Sequence, residues 1–216
     1  MELTKENLQN LRQDYAAASL SETEVDANPI LQFKNWFSDA VKAQLYEPNV
    51  MTLATADYEG NPSARIVLLK GVDENGFVFF TNYESQKGKE LLENPRAALV
   101  FFWAELERQV RIEGTVTRVE DQLSEEYFHS RPIASQIGAV ASPQSHVISD
   151  RSVLENKVAE LNKTYADKEI PRPLSWGGYL VKPQHIEFWQ GRRSRLHDRI
   201  VYELVDGSWR INRLAP

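Results

Sequence analysis

Hydrophobic positions change their period along the chain. From Lys5 to Ala18, Leu8, Leu11 and Tyr15 recur at helical spacing. After a polar linker, SETEVDANP, Pro29 opens a second run to about Gln44 with Ile30, Phe33, Phe37 and Val41 on one face. Such stripes predict two helices, the second facing a core. From Val50 the spacing tightens. MTLATA, SARIVLLKGV and FVFFTN are short runs rich in β-branched and aromatic residues, separated by DYEGNP and DENG. Strands with turn chemistry between them predict an antiparallel meander. SQKGKELLEN then predicts a short helix, and RAALVFFW and RQVRIEGTVTRVE two longer strands with Leu106 and Glu107 near their bend.

The segment DQLSEEYFHSRPIASQIGAVAS predicts helix divided at Pro132, and Ser152 to about Tyr165 predicts another. The proline-rich IPRPLSW reads as a linker or edge segment. Strands GYLVKPQHIEFWQ, HDRIVYEL and SWRINRL finish the chain, the last two joined by Val205-Asp206-Gly207, a hairpin signal. The runs amount to about six or seven strands with helices appended, a mainly β (α+β) class. A meander of this kind closes into a small antiparallel barrel to remove its edges; an open α+β sheet is the alternative. Strands and helices do not alternate, which disfavours a doubly wound sheet, and no GxGxxG follows the first strand. The 216 residues suit one domain, with an N-terminal helical segment at 1–46, a helical insertion at 121–166 and C-terminal strands at 176–216 that complete the barrel and its site.

Composition narrows the function classes. The chain is 42% hydrophobic and 26% charged, ordinary for a soluble globular protein, and its net charge of -6 argues against a general nucleic-acid surface. With no cysteine there is no disulfide framework, thiolate metal site or thiol nucleophile. The N-terminal MELTKENLQNLRQDY is polar, and no apolar run approaches the ~18 residues of a membrane span. A cytoplasmic location without membrane contact is expected. One local feature runs against the overall charge. Arg192, Arg193, Arg195 and Arg199 cluster around His197 and Asp198, with Arg213 further on. A basic cluster in an acidic protein points to a small anionic ligand, although a solvated loop would carry the same charges.

Several stretches carry candidate chemistry. In Arg65-Ile66-Val67-Leu68-Leu69-Lys70 four apolar residues lie between two cations. On a continuous strand Arg65 and Lys70 would point to opposite faces, each wanting an anion or solvent. Phe80-Thr81-Asn82 leads into Ser85-Gln86-Lys87-Gly88-Lys89, where donors ahead of a helix can cradle phosphate. Around Pro132, which favours a first helical turn, Tyr127, Arg131 and Ser135 can converge on one dianion at a helix N-terminus. Gln109 on its strand and Gln144-Ser145 after Pro143 supply amide and hydroxyl groups suited to a heterocycle or a phosphate. If Arg195 to Arg199 is extended, Arg195, His197 and Arg199 share a face, and Trp189 offers an aromatic surface for a planar anionic ligand. There is no GxSxG, no HExxH and no histidine pair at ligand spacing, so phosphate-binding groups without a nucleophile or metal site point to an organic cofactor.

Taken in order, RIVLLK, FFTN, SQKGKEL, ERQVRIEG, YFHSRPIASQIGA, the Gln144-Ser145 pair and FWQG with RLHDR and a final RLAP resemble the pyridoxine 5'-phosphate oxidase family, over nearly the whole chain from about Leu11. The resemblance implies an FMN-binding split β-barrel acting as a homodimer with FMN at the subunit interface. It implies FMN contacts from Arg65, Ile66, Val67, Leu68, Leu69, Lys70, Phe80, Thr81, Gln86, Lys87, Gln109, Gln144, Ser145, Trp189 and Arg199. For the substrate it implies that Lys70, Tyr127, Arg131 and Ser135 hold the phosphate and that Arg195 and His197, the catalytic pair, orient the pyridine ring. Arg12 and Tyr15 fall in a segment that closes over the site in this family. The implied reaction turns pyridoxine 5'-phosphate or pyridoxamine 5'-phosphate into pyridoxal 5'-phosphate, with hydride passing from C4' to flavin N5 and O2 leaving as H2O2. Two positions depart from the family pattern. Gln86 stands where many members have arginine, which is expected to weaken FMN binding by ~1–2 kcal/mol, the size of a lost charged hydrogen bond. Gln13-Asp14 stands where a more basic pair is common. Two other readings fit the same motifs: a non-catalytic FMN or pyridoxal-phosphate binding protein, and another split-barrel flavin reductase.

Overall fold

A computed structural model of the chain describes residue 4, residue 9 and residues 14–216. Packing divides it into two compact units: residues 1–48, 100–112 and 185–216, and residues 49–99 and 113–184. Nine strands form one sheet in the order β2-β1-β5-β6-β7-β4-β3, with β8 paired to β7 and β9 to β8. They are β1 (Val50–Ala56), β2 (Pro62–Leu68), β3 (Gly71–Asp73), β4 (Gly76–Asn82), β5 (Arg96–Trp103), β6 (Arg108–Arg118), β7 (Trp176–Gln190), β8 (Asp198–Val205) and β9 (Ser208–Leu214). The pairs β1–β2, β3–β4, β4–β7, β7–β8 and β8–β9 are antiparallel, so the expected mainly β class with appended helices holds.

In the first unit, helix α1 (Pro29–Lys42) starts where Asn28 accepts hydrogen bonds from the amides of Ile30 and Leu31, with proline at the first helical position. Ile30, Phe33, Trp36 and Ala40 are its buried stripe; Val41, expected on that face, is exposed. Phe33 packs 5.1 Å from Phe101, and Trp36 meets Phe188 edge-on at 5.2 Å. The hairpin between β8 and β9 turns at Asp206 and Gly207, both at positive φ, as its sequence predicts. The helix expected from Lys5 to Ala18 does not extend over residues 14–18, and residues 5–8 and 10–13 lie outside the described residues.

In the second unit, α2 (Gln86–Glu93) follows β4, and α3 (Asp121–Ser130), α4 (Ile133–Ala141) and α5 (Ser152–Thr164) lie between β6 and β7. Phe128, Ile137, Leu161, Ile170 and Trp176 form a buried cluster under these helices. The strand expected across SARIVLLKGV is broken. β2 stops at Leu68, the Leu69 amide donates to the Asn49 carbonyl, and the Lys70 amide donates to Val78 before β3 begins. This bend splits one apolar run between two strands and so adds one to the count, β2 pairing with β1 and β3 with β4. Among the described residues no helix is long and apolar enough to cross a membrane.

Candidate active site

An open cleft of about 880 Å³ lies within the second unit. Its walls come from β2, the ends of β4 and β7, the start of α2, the α3–α4 junction and the turn after α4. The bend after Leu68 has a direct consequence here. Arg65 and Lys70, expected on opposite faces of a continuous strand, both line this one cleft. Strand alternation ends where the strand ends, so the second cation is re-aimed.

At one end lies Lys87. Ser85 caps α2, accepting from the amide of Gly88, and this turn buries Lys87 to 8% exposure. Gly88 is required, since a Cβ there would fall 2.1 Å from the Tyr83 carbonyl oxygen. The Lys87 ammonium donates to Thr81 Oγ1 (3.2 Å), Ser85 Oγ (3.3 Å) and Gln144 Oε1 (3.2 Å), all neutral oxygens. Burial first, and the Arg65 charge second, lower its pKa, with Glu90 opposing. Thr81 also donates to Gln144 Oε1 at 3.1 Å, tying the Pro143 turn to β4. Ser145 follows at φ 71, in the left-handed region.

Arg65 is held differently. Its guanidinium donates to Thr55, Ser63, the Leu53 carbonyl and Glu90, the last at 3.1 Å. Glu90 is itself buried. Burial pushes its pKa up, but hydrogen bonds from Thr55, Ser63, Gln86 and Arg65 outweigh that and hold it below the usual carboxylate value. Gln86 therefore spends its amide on Glu90 at 2.8 Å and does not line the cleft. Sequence reasoning missed Glu90. It shares a helical face with Gln86 four residues earlier, but its strand partners are visible only in the fold.

At the α3–α4 junction Arg131 caps one helix and Pro132 the next. Arg131 Nη2 donates to the Ser135 carbonyl at 2.8 Å, while Nη1 is buried without a partner among the described residues. Burial lowers its pKa, with Tyr127 opposing. Tyr127, Ser135 and Arg131 line the cleft together with Ile66, Val67, Leu68 and Phe80. A buried guanidinium edge without an acceptor and a buried ammonium among neutral oxygens are two separate demands for an anion. The cleft thus fits a molecule or molecules carrying two anionic groups, and FMN and a phosphorylated substrate would satisfy both.

The remaining sequence candidates are placed elsewhere. Leu69 is buried beside the cleft. Gln109, Tyr15, Trp189, Arg195, His197 and Arg199 belong to the first unit, and Arg12 lies outside the described residues. Arg195, His197 and Arg199 do not share a strand face as expected. Ser194 and Arg195 have φ of 57° and 62° in a tight turn, and β8 begins only at Asp198. A turn of this hand breaks the alternation that an extended segment would have given. His197 Nδ1 accepts the Arg192 amide at 3.1 Å, so the proton of the neutral ring resides on Nε2. Burial, and then the Arg195 charge, lower its pKa. Tyr15 packs edge-on against Trp189 at 5.8 Å and His197 at 5.9 Å. Arg199 is held through Nε and Nη2 by Glu187 at 2.7 and 3.0 Å and through Nη1 by the Ala215 carbonyl.

Residues 37–165 match the family profile described as pyridoxamine 5'-phosphate oxidase, and residues 176–216 match the pyridoxine 5'-phosphate oxidase C-terminal dimerisation region. The chain is 60% identical over 208 residues to the pyridoxine/pyridoxamine 5'-phosphate oxidase of Nostoc sp. PCC 7120, covering 96% of this chain and 97% of that protein. It is 57% identical over 213 residues to the enzyme of the same name from Acaryochloris marina, covering 99% and 97%. Among solved structures, PhzG from Burkholderia lata 383, in complex with tetrahydrophenazine-1-carboxylic acid, aligns with a TM-score of 0.88 at 30% identity, over 93% of this chain and 100% of that one. A pyridoxamine 5'-phosphate oxidase-related, FMN-binding protein from Nostoc punctiforme PCC 73102 aligns with a TM-score of 0.69 at 16% identity, over 92% and 100%, and so shares the fold.

Proposed function

Since the chain belongs to the pyridoxamine 5'-phosphate oxidase family, we propose that it oxidises pyridoxine 5'-phosphate or pyridoxamine 5'-phosphate to pyridoxal 5'-phosphate, with O2 as acceptor and H2O2 as product. It is an FMN-dependent oxidoreductase of the split-barrel fold. The observation that carries the reading is the pair of unneutralised cations in one cleft, Lys87 among neutral oxygens and Arg131 with its buried free Nη1. Two phosphorylated ligands answer both. The enzyme works as a homodimer through its C-terminal strands.

FMN supplies the two-electron acceptor chemistry when bound. When FMN is bound, Lys87, Thr81, Gln144, Ser145 and Arg65 would hold its phosphate and other polar groups, and Ile66, Val67 and Leu68 would give it an apolar wall; all eight line the cleft. Leu69, Lys70, Phe80, Gln109, Trp189 and Arg199 complete the proposed contacts. Gln86 acts through Glu90 rather than on the phosphate, so the cradle carries one cation fewer than the family pattern. Lys70, Tyr127, Arg131 and Ser135 fix the substrate phosphate, so the group to be oxidised is held by its remote end. Arg195 and His197 orient the ring, and Arg12 and Tyr15 are proposed as further substrate contacts. His197, neutral with its proton on Nε2, is a hydrogen-bond donor rather than a base on that edge. Oxidation of the alcohol removes two electrons and two protons, which O2 takes up as H2O2. The amine substrate also takes up water and releases ammonia.

Purified protein loaded with FMN and given pyridoxine 5'-phosphate in air should form pyridoxal 5'-phosphate and H2O2 in equal amounts. Firm FMN binding without either product would make it a binding protein instead. Turnover only with a substrate lacking phosphate would remove the role given to Arg131.

A further inference from the structure

We propose that Trp176 is a positioning residue for Arg131, and that its ring sets the affinity of the cleft for the substrate phosphate. The inference rests on the reading that Arg131 holds that phosphate. Trp176 is the first residue of β7, is 6% exposed, and contributes to the cleft wall. The Arg131 guanidinium carbon lies 4.7 Å from the centre of the indole ring. Nη2 of that guanidinium donates to the Ser135 carbonyl, and among the described residues the buried Nη1 has no acceptor. One hydrogen bond leaves a planar group free to pivot about it. A π face beneath it supplies the second constraint, by attraction to the cation and by fixing its height above the ring.

The indole is well placed to act as that platform. Its ring is nearly parallel to Phe80 (5.6 Å, 14°) and to Tyr127 (6.1 Å, 11°), and Phe80 and Tyr127 stack at 4.0 Å. From the core side Phe128 meets it edge-on at 5.3 Å within the buried cluster under the helices. The indole cannot shift without disturbing both the Tyr127 phenol and the Arg131 guanidinium. It therefore couples the two groups to one rigid surface. Trp176 needs no contact with the substrate to do this.

The test uses the FMN-loaded full chain and compares wild type with Trp176→Phe, Trp176→Leu, Arg131→Leu and the double variant Arg131→Leu/Trp176→Leu. KM and kcat for pyridoxine 5'-phosphate, FMN affinity and thermal midpoint are measured for each. Trp176→Leu should raise KM about tenfold, the effect of losing a desolvated cation–π contact. It should leave kcat within about twofold, the split that marks a binding role, and weaken FMN binding by less than it raises KM. Trp176→Phe should recover part of the KM, and in the double variant the Trp176 change should add little to Arg131→Leu. An unchanged KM in Trp176→Leu, or full additivity in the double variant, overturns the inference. If Arg131→Leu itself leaves KM unchanged, the phosphate reading fails first and takes the inference with it. If Arg131→Leu raises KM and Trp176→Leu does not, the inference alone fails. Should Trp176→Leu not fold, Trp176→Tyr and Trp176→Phe replace it. KM should then rise in the order Trp, Tyr, Phe, and equal values overturn the inference.

Discussion

Burying an ammonium group among neutral oxygens costs folding free energy that an anion can return, and Lys87 is in that position. The sign follows from its lowered pKa. The unfolded chain holds the Lys87 proton more tightly, so the penalty is present at neutral pH and fades as pH rises through the lowered pKa towards 10.5. Lys87→Met should therefore raise the melting temperature of the cofactor-free protein by about 2–4 °C, the shift expected for ~1 kcal/mol in a chain of this size. The same variant should weaken FMN binding about 10- to 100-fold, as for a lost charged hydrogen bond. Equal melting temperatures with unchanged FMN affinity would remove Lys87 from the cradle. Glu22 shows the opposite sign at the surface. Arg213 grips both its oxygens at 2.6 and 2.8 Å and holds its pKa at about 2. Its contribution is complete above the ordinary value of 4.5 and is lost as pH falls through about 2. Titration followed by NMR should find that low midpoint, and Arg213→Ala should return it towards 4.5. Lys87, Tyr127, Arg131 and Ser135 were legible in the sequence because each belongs to a short local motif. Glu90 and Trp176 were not, because their partners Thr55, Ser63, Phe80 and Arg131 reach them only through the fold.

Elements were legible where local pattern and turn chemistry agreed. Val205-Asp206-Gly207 reads as a hairpin, and Asp206 and Gly207 take the positive φ such a turn demands. A Cβ on Gly207 would meet nothing within 4 Å, so the cost of adding one is purely conformational. Gly207→Ala should destabilise by about 1 kcal/mol without altering turnover, as thermal melting and steady-state assay would show. Gly88→Ala differs, because the added carbon would strike the Tyr83 carbonyl and push α2 away from β4. It should lower both stability and FMN affinity, and an FMN affinity equal to wild type would separate α2 from the cradle. The apolar run from Arg65 to Lys70 carries no local signal for its break. The amides of Leu69 and Lys70 are drawn to Asn49 and Val78, which are tertiary partners. The Arg192–His197 turn is hidden for a related reason, since period-two spacing describes a strand only if the backbone is extended, and here it is not.

At the scale of the molecule, the mainly β class with appended helices was readable from the meander and from the absence of strand–helix alternation. The cleft was readable only as two separate phosphate motifs; their meeting depends on the bend after β2 and on the α3–α4 junction. Arg195 and His197 belong to the other compact unit, and their role is argued from the family. Arg195→Leu should lower turnover far more than FMN content, and equal losses of the two would contradict that role. In the proposed reaction electrons leave a phosphorylated vitamin B6 substrate for FMN held by this chain. Mixing the FMN-loaded protein anaerobically with pyridoxine 5'-phosphate, and following visible absorbance, tests it most directly. The flavin colour should bleach, then return on admitting air, with pyridoxal 5'-phosphate formed. Flavin that stays oxidised while the substrate is bound would contradict it.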